Sequence, residues 1–201
     1  MATIDYKTFL NVITPIINAR FPVLIRGRHG IGKSTIVYQL ADKMNMTVIE
    51  RRASQMTEGD LLGLPKLAKN VTTWCPPEWL ATACNEPVVL FLDEVDRATL
   101  EVRQGIFELC DSRKIAGNAL HPDTLIFACV NGEMDPAELD RYTVFDVEPT
   151  VEDWLDWGSS NVTQEIWDFI NHNHGHLEHK SDYEPNKVYP SRRSWERLSK
   201  T

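Results

Sequence analysis

No apolar stretch in the 201 residues approaches the length needed to cross a bilayer, and the opening MATIDYKTFLNVITP carries an early acid and no cleavage pattern. Neither a membrane span nor a secretory leader is expected, and the chain reads as soluble and cytoplasmic. A positive balance is missing as well: 21 Lys+Arg stand against 29 Asp+Glu, a net charge of −8. That speaks against a surface built chiefly to neutralise phosphate backbones and demotes nucleic acid as a partner. Cys75, Cys84, Cys110 and Cys129 show no CxxC spacing, and two of them sit in the apolar runs FELC and TLIFACV. They read as buried thiols of a reducing compartment. Internal repeats and low-complexity tracts are absent. With 42% hydrophobic residues, the chain can bury one good core and at most a small second lobe.

Five short apolar, β-branched runs punctuate the chain: FPVLI (21 to 25), MTVIE (46 to 50), PVVLFL (87 to 92), TLIFACV (124 to 130) and YTVFDVE (142 to 148). The middle three read as central strands covered on both faces, as in a mostly parallel sheet. Helical spacing appears between runs in Ile36, Val37, Leu40, Ala41 and Met44, and again in Val102, Ile106, Leu109 and Cys110. Strand and helix alternate, which predicts an α/β layered fold. After Pro149 only helical signals follow: Thr150 with Asp153 three residues on, and Thr163 before QEIWDFI. Residues 1–149 are expected to form the α/β domain, and residues 150–201 a small helical lobe joined to it by EPT.

The segment GRHGIGKST (27 to 35) lies between the first expected strand and a helix. Gly27, Gly32, Lys33 and Ser34 satisfy GxxxxGK(S/T) in the context that pattern requires. Glycines let successive backbone N–H groups turn inward around phosphate oxygens. Lys33 adds a point charge at the outer phosphates, and the Ser34 hydroxyl can ligate Mg²⁺ at the helix N-terminus. The expected nucleotide contacts are Gly27, His29, Gly30, Ile31, Gly32, Lys33, Ser34 and Thr35.

A second motif, VVLFLDEVDR, carries an apolar strand to Asp93 and Glu94 at its carboxyl end, where open α/β sheets bind ligands. Asp93 is expected to hold Mg²⁺ through water, and Glu94 to orient or deprotonate the attacking water. Taken without the upstream loop, the pair would read as a helix N-cap. A kinase that moves phosphoryl to a hydroxyl needs no water-activating glutamate, so Glu94 points to a motor or switch.

With these motifs on the page, the chain resembles the AAA+ ATPases, and within them the MoxR-like, dynein-related branch. RGRHGIGKST stands as Walker A, VVLFLDEVDRAT as Walker B, ACVNG as the sensor-1 strand, DPAELDRY as the arginine-finger helix and YPSRRSWERLS as the sensor-2 helix. The segments DLLGLP and WCPPEWL are similar to ones this branch carries after its second strand. The resemblance implies a P-loop core with a five-stranded, mostly parallel sheet flanked by helices and a small C-terminal helical lid, short or truncated. It also implies ATP and Mg²⁺ as cofactors, ATP hydrolysis, and a ring of subunits, expected as a hexamer, that remodels a protein partner in a chaperone-like way. Family members often work beside a protein with a von Willebrand factor A domain. A nucleotide-gated switch with little turnover and a nucleic-acid motor or loader are the alternatives.

Carried over residue by residue, the resemblance makes Asn131 sensor 1, which also reads as a turn residue after its strand. Arg141 becomes a finger for a neighbouring subunit's site, behind a helix that Asp135 caps, Pro136 opens and Glu138 boxes. Ser191 reads as an N-cap, which leaves Arg192 and Arg193 in the first turn, where two cations oppose the helix dipole unless an anion compensates. By its offset before Trp195, Arg193 matches sensor 2 better than Arg192. HNHGHLEH (172 to 179) invites a metal, yet it reads as a connection between lid helices, and no ligands are assigned. Trp154, Trp157 and Trp167 read as lid packing. Leu64 and Trp74 are open between a pore loop and core contacts.

Overall fold

The computed structural model describes residues 3–179, 184 and 186–201. Residues 1–2, 180–183 and 185, which fall within the two expected segments, lie outside the described residues. In chain order the elements are α1 (Tyr6–Asn18), β1 (Val23–Arg26), α2 (Lys33–Lys43), β2 (Thr47–Arg52), α3 (Glu58–Leu62), β3 (Leu64–Ala68), β4 (Val71–Cys75), α4 (Glu78–Asn85), β5 (Val88–Asp93), α5 (Leu100–Ser112), β6 (Lys114–Ile115), β7 (Asn118–Ala119), β8 (Leu125–Val130), α6 (Pro136–Leu139), β9 (Thr143–Asp146), α7 (Val151–Gly158), α8 (Gln164–His172) and α9 (Arg192–Leu198).

The five expected strands form one sheet in the order β2-β5-β8-β1-β9, with every neighbouring pair parallel. Side chains alternate across it. Val89, Phe91, Leu125, Phe127 and Cys129 pack with α1 and α2 on one face, while Leu90, Leu92, Ile126, Ala128 and Val130 pack with α3, α4 and α5 on the other. One placement differs from the sequence reading: β2 is an edge strand, and β1 takes an inner place. The reason is compositional. β2 ends in Glu50, Arg51 and Arg52 and is nowhere fully buried, whereas β5 and β8 are apolar throughout their buried lengths.

One helix and two hairpins leave no clear signal in the sequence. Helix α1 starts at Asp5, whose carboxylate accepts the Thr8 N–H at 2.6 Å, and buries Phe9, Ile13 and Ile17 at four-residue spacing. β3 and β4 form an antiparallel hairpin whose two turn residues, Lys69 and Asn70, both have positive φ. Leu64, Leu67, Val71 and Trp74 stand exposed on it, so Leu64 and Trp74 are not core contacts. β6 and β7 form a second, minimal hairpin. Cys110 and Cys129 are buried as expected, burial pushing the Cys110 thiol up to about 12, but Cys84 is half-buried and Cys75 exposed. No helix among the described residues is long and apolar enough to cross a membrane.

Beyond Pro149, α7, α8 and α9 enclose a separate cluster built on Trp154, Leu155, Ile170 and Leu177. Trp154 is buried, and Trp167 donates its indole N–H to Leu155 O at 2.9 Å, so both pack within this cluster. The Thr150–Asp153 capping box is present: Thr150 Oγ1 accepts the Asp153 N–H at 3.1 Å and Asp153 Oδ2 accepts the Thr150 N–H at 2.9 Å. The same carboxylate accepts the Tyr6 N–H at 3.3 Å, tying α7 to α1. Thr150→Ala is therefore expected to cost about 1 kcal/mol, checked by urea unfolding of both chains. An unchanged midpoint would mean that the cap does not limit stability. Thr163 holds the N-cap position of α8 but makes no side-chain cap; its N–H is instead taken by Ser199 Oγ at 2.9 Å. Asp135 caps α6 and Pro136 opens it, while the expected box with Glu138 is absent because Glu138 pairs with Arg103 at 3.5 Å.

Candidate nucleotide-binding site

Three parallel strands deliver Gly27, Asp93 and Asn131 to the carboxyl end of the sheet. β1 runs into Gly27, β5 ends on Asp93, and β8 runs into Asn131, with Arg26 beside Val130 and Leu92 beside Ala128 in register. The loop from 27 to 32 then turns into α2. At Gly27 a Cβ would stand 2.6 Å from Val147 O and 2.5 Å from Ile31 Cδ1, so only glycine fits against β9's continuation. Gly32 is the N-cap of α2 at φ +96 and supplies no side-chain cap. The first N–H groups of the helix are thus left for an anion.

Lys33 is only 7% exposed. Its ammonium donates to Gly27 O at 2.7 Å, Arg28 O at 2.8 Å and Asn131 Oδ1 at 2.7 Å, knitting the loop to the end of β8. Burial pulls its pKa below the usual lysine value, Asp93 and Asp96 oppose that shift, and Arg193 adds to it. Burial likewise raises the Asp93 carboxyl above the usual range, partly offset by the Glu94 N–H that it accepts at 2.9 Å.

Glu94 adopts a left-handed backbone at φ +55, a conformation that costs a non-glycine residue on the order of 1 kcal/mol. It follows that the surroundings hold it there. The Ser54 hydroxyl donates to Glu94 Oε2 at 2.5 Å, and Arg97 lies 3.9 Å from Oε1. Asp96, next along, accepts the N–H groups of Asn131 at 3.4 Å and Gly132 at 3.0 Å, which fixes the turn that aims the Asn131 amide at Lys33. Ser54 and Asp96 escape sequence reasoning. Ser54 follows β2, and its relevance appears only because β2 pairs with β5, Arg52 beside Asp93.

Around these groups lies a cleft of about 400 Å³, ordinary for a small-ligand site. The loop from His29 to Thr35, together with Asp93, Glu94, Asn131 and Arg193, lines it, and Trp154 and Trp157 of α7 close the far side. Tyr6, which hydrogen-bonds Gln39, lines it too, a contribution from α1 that the sequence does not announce. Gly27, expected as a nucleotide contact, does not line the cleft and packs instead against Val147 and Ile31. Arg141 lies outside the cleft: Nε donates to Asp111 Oδ2 at 2.8 Å, Nη1 bonds Ala137 O, and the guanidinium sits 5.5 Å from the Phe107 ring. Arg192 and Arg193 differ. Both line the cleft, but Arg192 is buried and engaged by Glu178, while Arg193 is exposed.

The donor set suits a magnesium nucleotide. One lysine and the uncapped N-terminus of α2 could meet phosphate, while Ser34 and Asp93 could offer the few hard oxygens Mg²⁺ takes when phosphates supply the rest. No group of three or more His, Cys, Asp or Glu that could hold a metal by itself occurs among the described residues. In the 172 to 179 stretch, His172 Nδ1 meets Asp168 O at 2.7 Å, His176 packs on Phe169, and His179 stacks on Tyr189 at 4.0 Å.

Residues 22–128 match the AAA domain of the dynein-related subfamily. Asn131, Arg141 and Arg193 lie beyond that match. Midasin of Giardia intestinalis is 27% identical over 165 residues, 74% of this chain and 3% of midasin. Protein CbbQ of Hydrogenophilus thermoluteolus is 32% identical over 132 residues, 62% of this chain and 49% of CbbQ. The chain thus spans half or less of the curated relatives it matches. Among solved structures, a point mutant of Thermotoga maritima RuvB superposes with a TM-score of 0.56 at 14% identity, covering 87% of this chain and 54% of that one. The RuvB Holliday junction branch migration motor of the same organism superposes at 0.53 and 16% identity, covering 87% and 53%. At such identities the likeness is one of fold. The phosphate loop on β1 and the acidic pair on β5 both fall inside the matched span, and the chain belongs to the dynein-related subfamily of AAA domains.

Proposed function

We propose that this chain binds ATP with Mg²⁺ and hydrolyses it at sites shared between the subunits of a ring, expected as a hexamer, and that the ring remodels a protein partner. The observation that carries this reading is the convergence of Lys33, Asp93, Glu94 and Asn131 on one cleft while Arg141 is held outside it. In this reading residues 1–149 bind the nucleotide and residues 150–201 act as a helical lid.

Lys33 and the N–H groups opening α2 hold the outer phosphates, with His29, Gly30, Ile31 and Thr35 shaping the loop around them. Ser34 and Asp93 hold Mg²⁺, which when bound neutralises charge building on the phosphate oxygens. Glu94 orients the attacking water and takes its proton, and its restraint by Ser54 keeps the carboxylate where that water must lie. Asn131 hydrogen-bonds the water or the terminal phosphate from the end of β8. Arg193 approaches the terminal phosphate from α9. Arg141 reaches a neighbouring subunit's site, since its own cleft is out of contact.

The exposed apolar side chains of the β3–β4 hairpin, with Leu64 and Val71 on one face and Leu67 and Trp74 on the other, support a polypeptide as the load, because exposed apolar surface of this kind marks protein contacts. A partner with a von Willebrand factor A domain fits the MoxR-like resemblance. The test is ATP turnover per subunit against protein concentration, with light scattering on the same samples. Turnover that rises as the chain assembles supports shared sites. A monomer that binds ATP and turns it over at a low, concentration-independent rate overturns them and leaves a nucleotide-gated switch.

A further inference from the structure

Two cations in the first turn of a helix oppose its dipole, and α9 carries Arg192 and Arg193 there. Their surroundings differ. Arg192 is 6% exposed and uses nearly all of its fork. Nη2 donates to Pro149 O at 2.5 Å and Nη1 to Thr150 O at 3.0 Å, while Nε and Nη2 each reach the Glu178 carboxylate at 3.2 Å. A buried guanidinium is costly unless paired and hydrogen-bonded, and here it has both an anion and two carbonyls.

Those acceptors come from two separate places. Pro149 and Thr150 are the connection between β9 and α7, and Glu178 lies beyond α8. Arg192 therefore joins the connection, the segment after α8 and the start of α9 at one point. The start of α9 also abuts the phosphate loop: a Cβ built on Gly30 would stand 3.7 Å from Ser191 Cβ. Both arginines line the cleft, but Arg193, one residue on, is the exposed one, and its charge lowers the pKa of Lys33.

We infer that Arg192 is a positioning residue: by clamping the 149–150 connection and Glu178, it sets the start of α9 against the phosphate loop and so holds Arg193 toward the terminal phosphate. The inference rests on the nucleotide reading above and adds a residue to it. A lysine at 192 would keep the charge but could not hold a carboxylate and two carbonyls with a planar fork.

The experiment is equilibrium binding of mant-AMP-PNP and mant-ADP, with Mg²⁺, to the full chain and its variants, alongside thermal unfolding. The readout is the ratio of the two affinities, which a general loss of stability does not move. The wild-type chain is expected to prefer mant-AMP-PNP, and Arg193→Ala to lose at least about tenfold of that preference, the scale of one charge-assisted hydrogen bond. Arg192→Lys is expected to lose a comparable share, and the double variant little more, because both act on one contact. Glu178→Gln removes the anionic side of the clamp and should move the ratio the same way, which decides the matter if Arg192→Lys does not fold. Preference retained in Arg192→Lys, or in Glu178→Gln when it is the variant that folds, overturns the inference while leaving the nucleotide reading intact. A wild-type chain that binds neither probe overturns both.

Discussion

Arg141→Ala is expected to lower ATP turnover by about 1,000-fold or more while leaving ATP binding nearly unchanged, as the loss of an arginine that stabilises transferring phosphoryl charge. The side chain is poised for release. Its ion pair with Asp111 is 34% and 51% exposed, and an exposed pair contributes about 1 kcal/mol or less, so exchanging it for a neighbour's phosphates costs little. Phosphate release measures turnover, and mant-ATP titration measures binding. The discriminating step is to mix Arg141→Ala with Glu94→Gln subunits. In a randomly mixed head-to-tail ring, roughly a quarter of the interfaces would pair an intact Glu94 with an intact Arg141, and activity should return to that extent. No recovery on mixing would mean that Arg141 does not act across an interface.

Glu94→Gln alone should slow hydrolysis by about 100- to 10,000-fold, the usual scale for removing a general base. The amide retains the carboxylate's shape and keeps an oxygen to accept the Ser54 hydroxyl, so binding of ATP and the unfolding midpoint should stay close to wild type. This separates chemistry from strain. If the left-handed backbone at Glu94 were kept for structural reasons alone, the variant would turn over ATP at the wild-type rate, and the role of Glu94 as base would be lost.

Much of this fold is legible in the sequence because its signals are local. Each of the five apolar runs became a strand of the five-stranded sheet, and of the periodic positions all but Met44, which is partly buried just past α2, are buried on α2 and α5. The edge position of β2 is missed because the run MTVIE stops at Glu50 and leaves out Arg51 and Arg52, the charged end of the same strand. The β3–β4 hairpin escapes for a different reason. Its turn uses positive φ at Lys69 as well as Asn70, where glycine would have announced it, and its strands bury nothing, so neither turn chemistry nor alternation gives a signal. The box expected from Glu138 fails because Arg103, distant along the chain, competes for that carboxylate.

At the site the division is similar. The loop from Gly27 to Thr35 and the pair Asp93 and Glu94 are contiguous, so spacing identified them, while the AAA+ resemblance rests on the longer series that continues through ACVNG, DPAELDRY and YPSRRSWERLS. The choice between Arg192 and Arg193 stays open in the sequence, because adjacent arginines have the same chemistry and differ only in what surrounds them. By itself the sequence determined which strands form the five-stranded sheet, where the phosphate loop turns and which acids stand at the end of β5, since each follows from neighbours along the chain. Only the tertiary structure decided that Ser54 restrains Glu94, that Asp96 holds the Asn131 turn, that Arg192 is buried against Glu178 and that Arg141 faces away from its own cleft. Those pairings depend on strand order and on helices meeting across the cleft, which place side chains together from distant parts of the chain without leaving a local pattern.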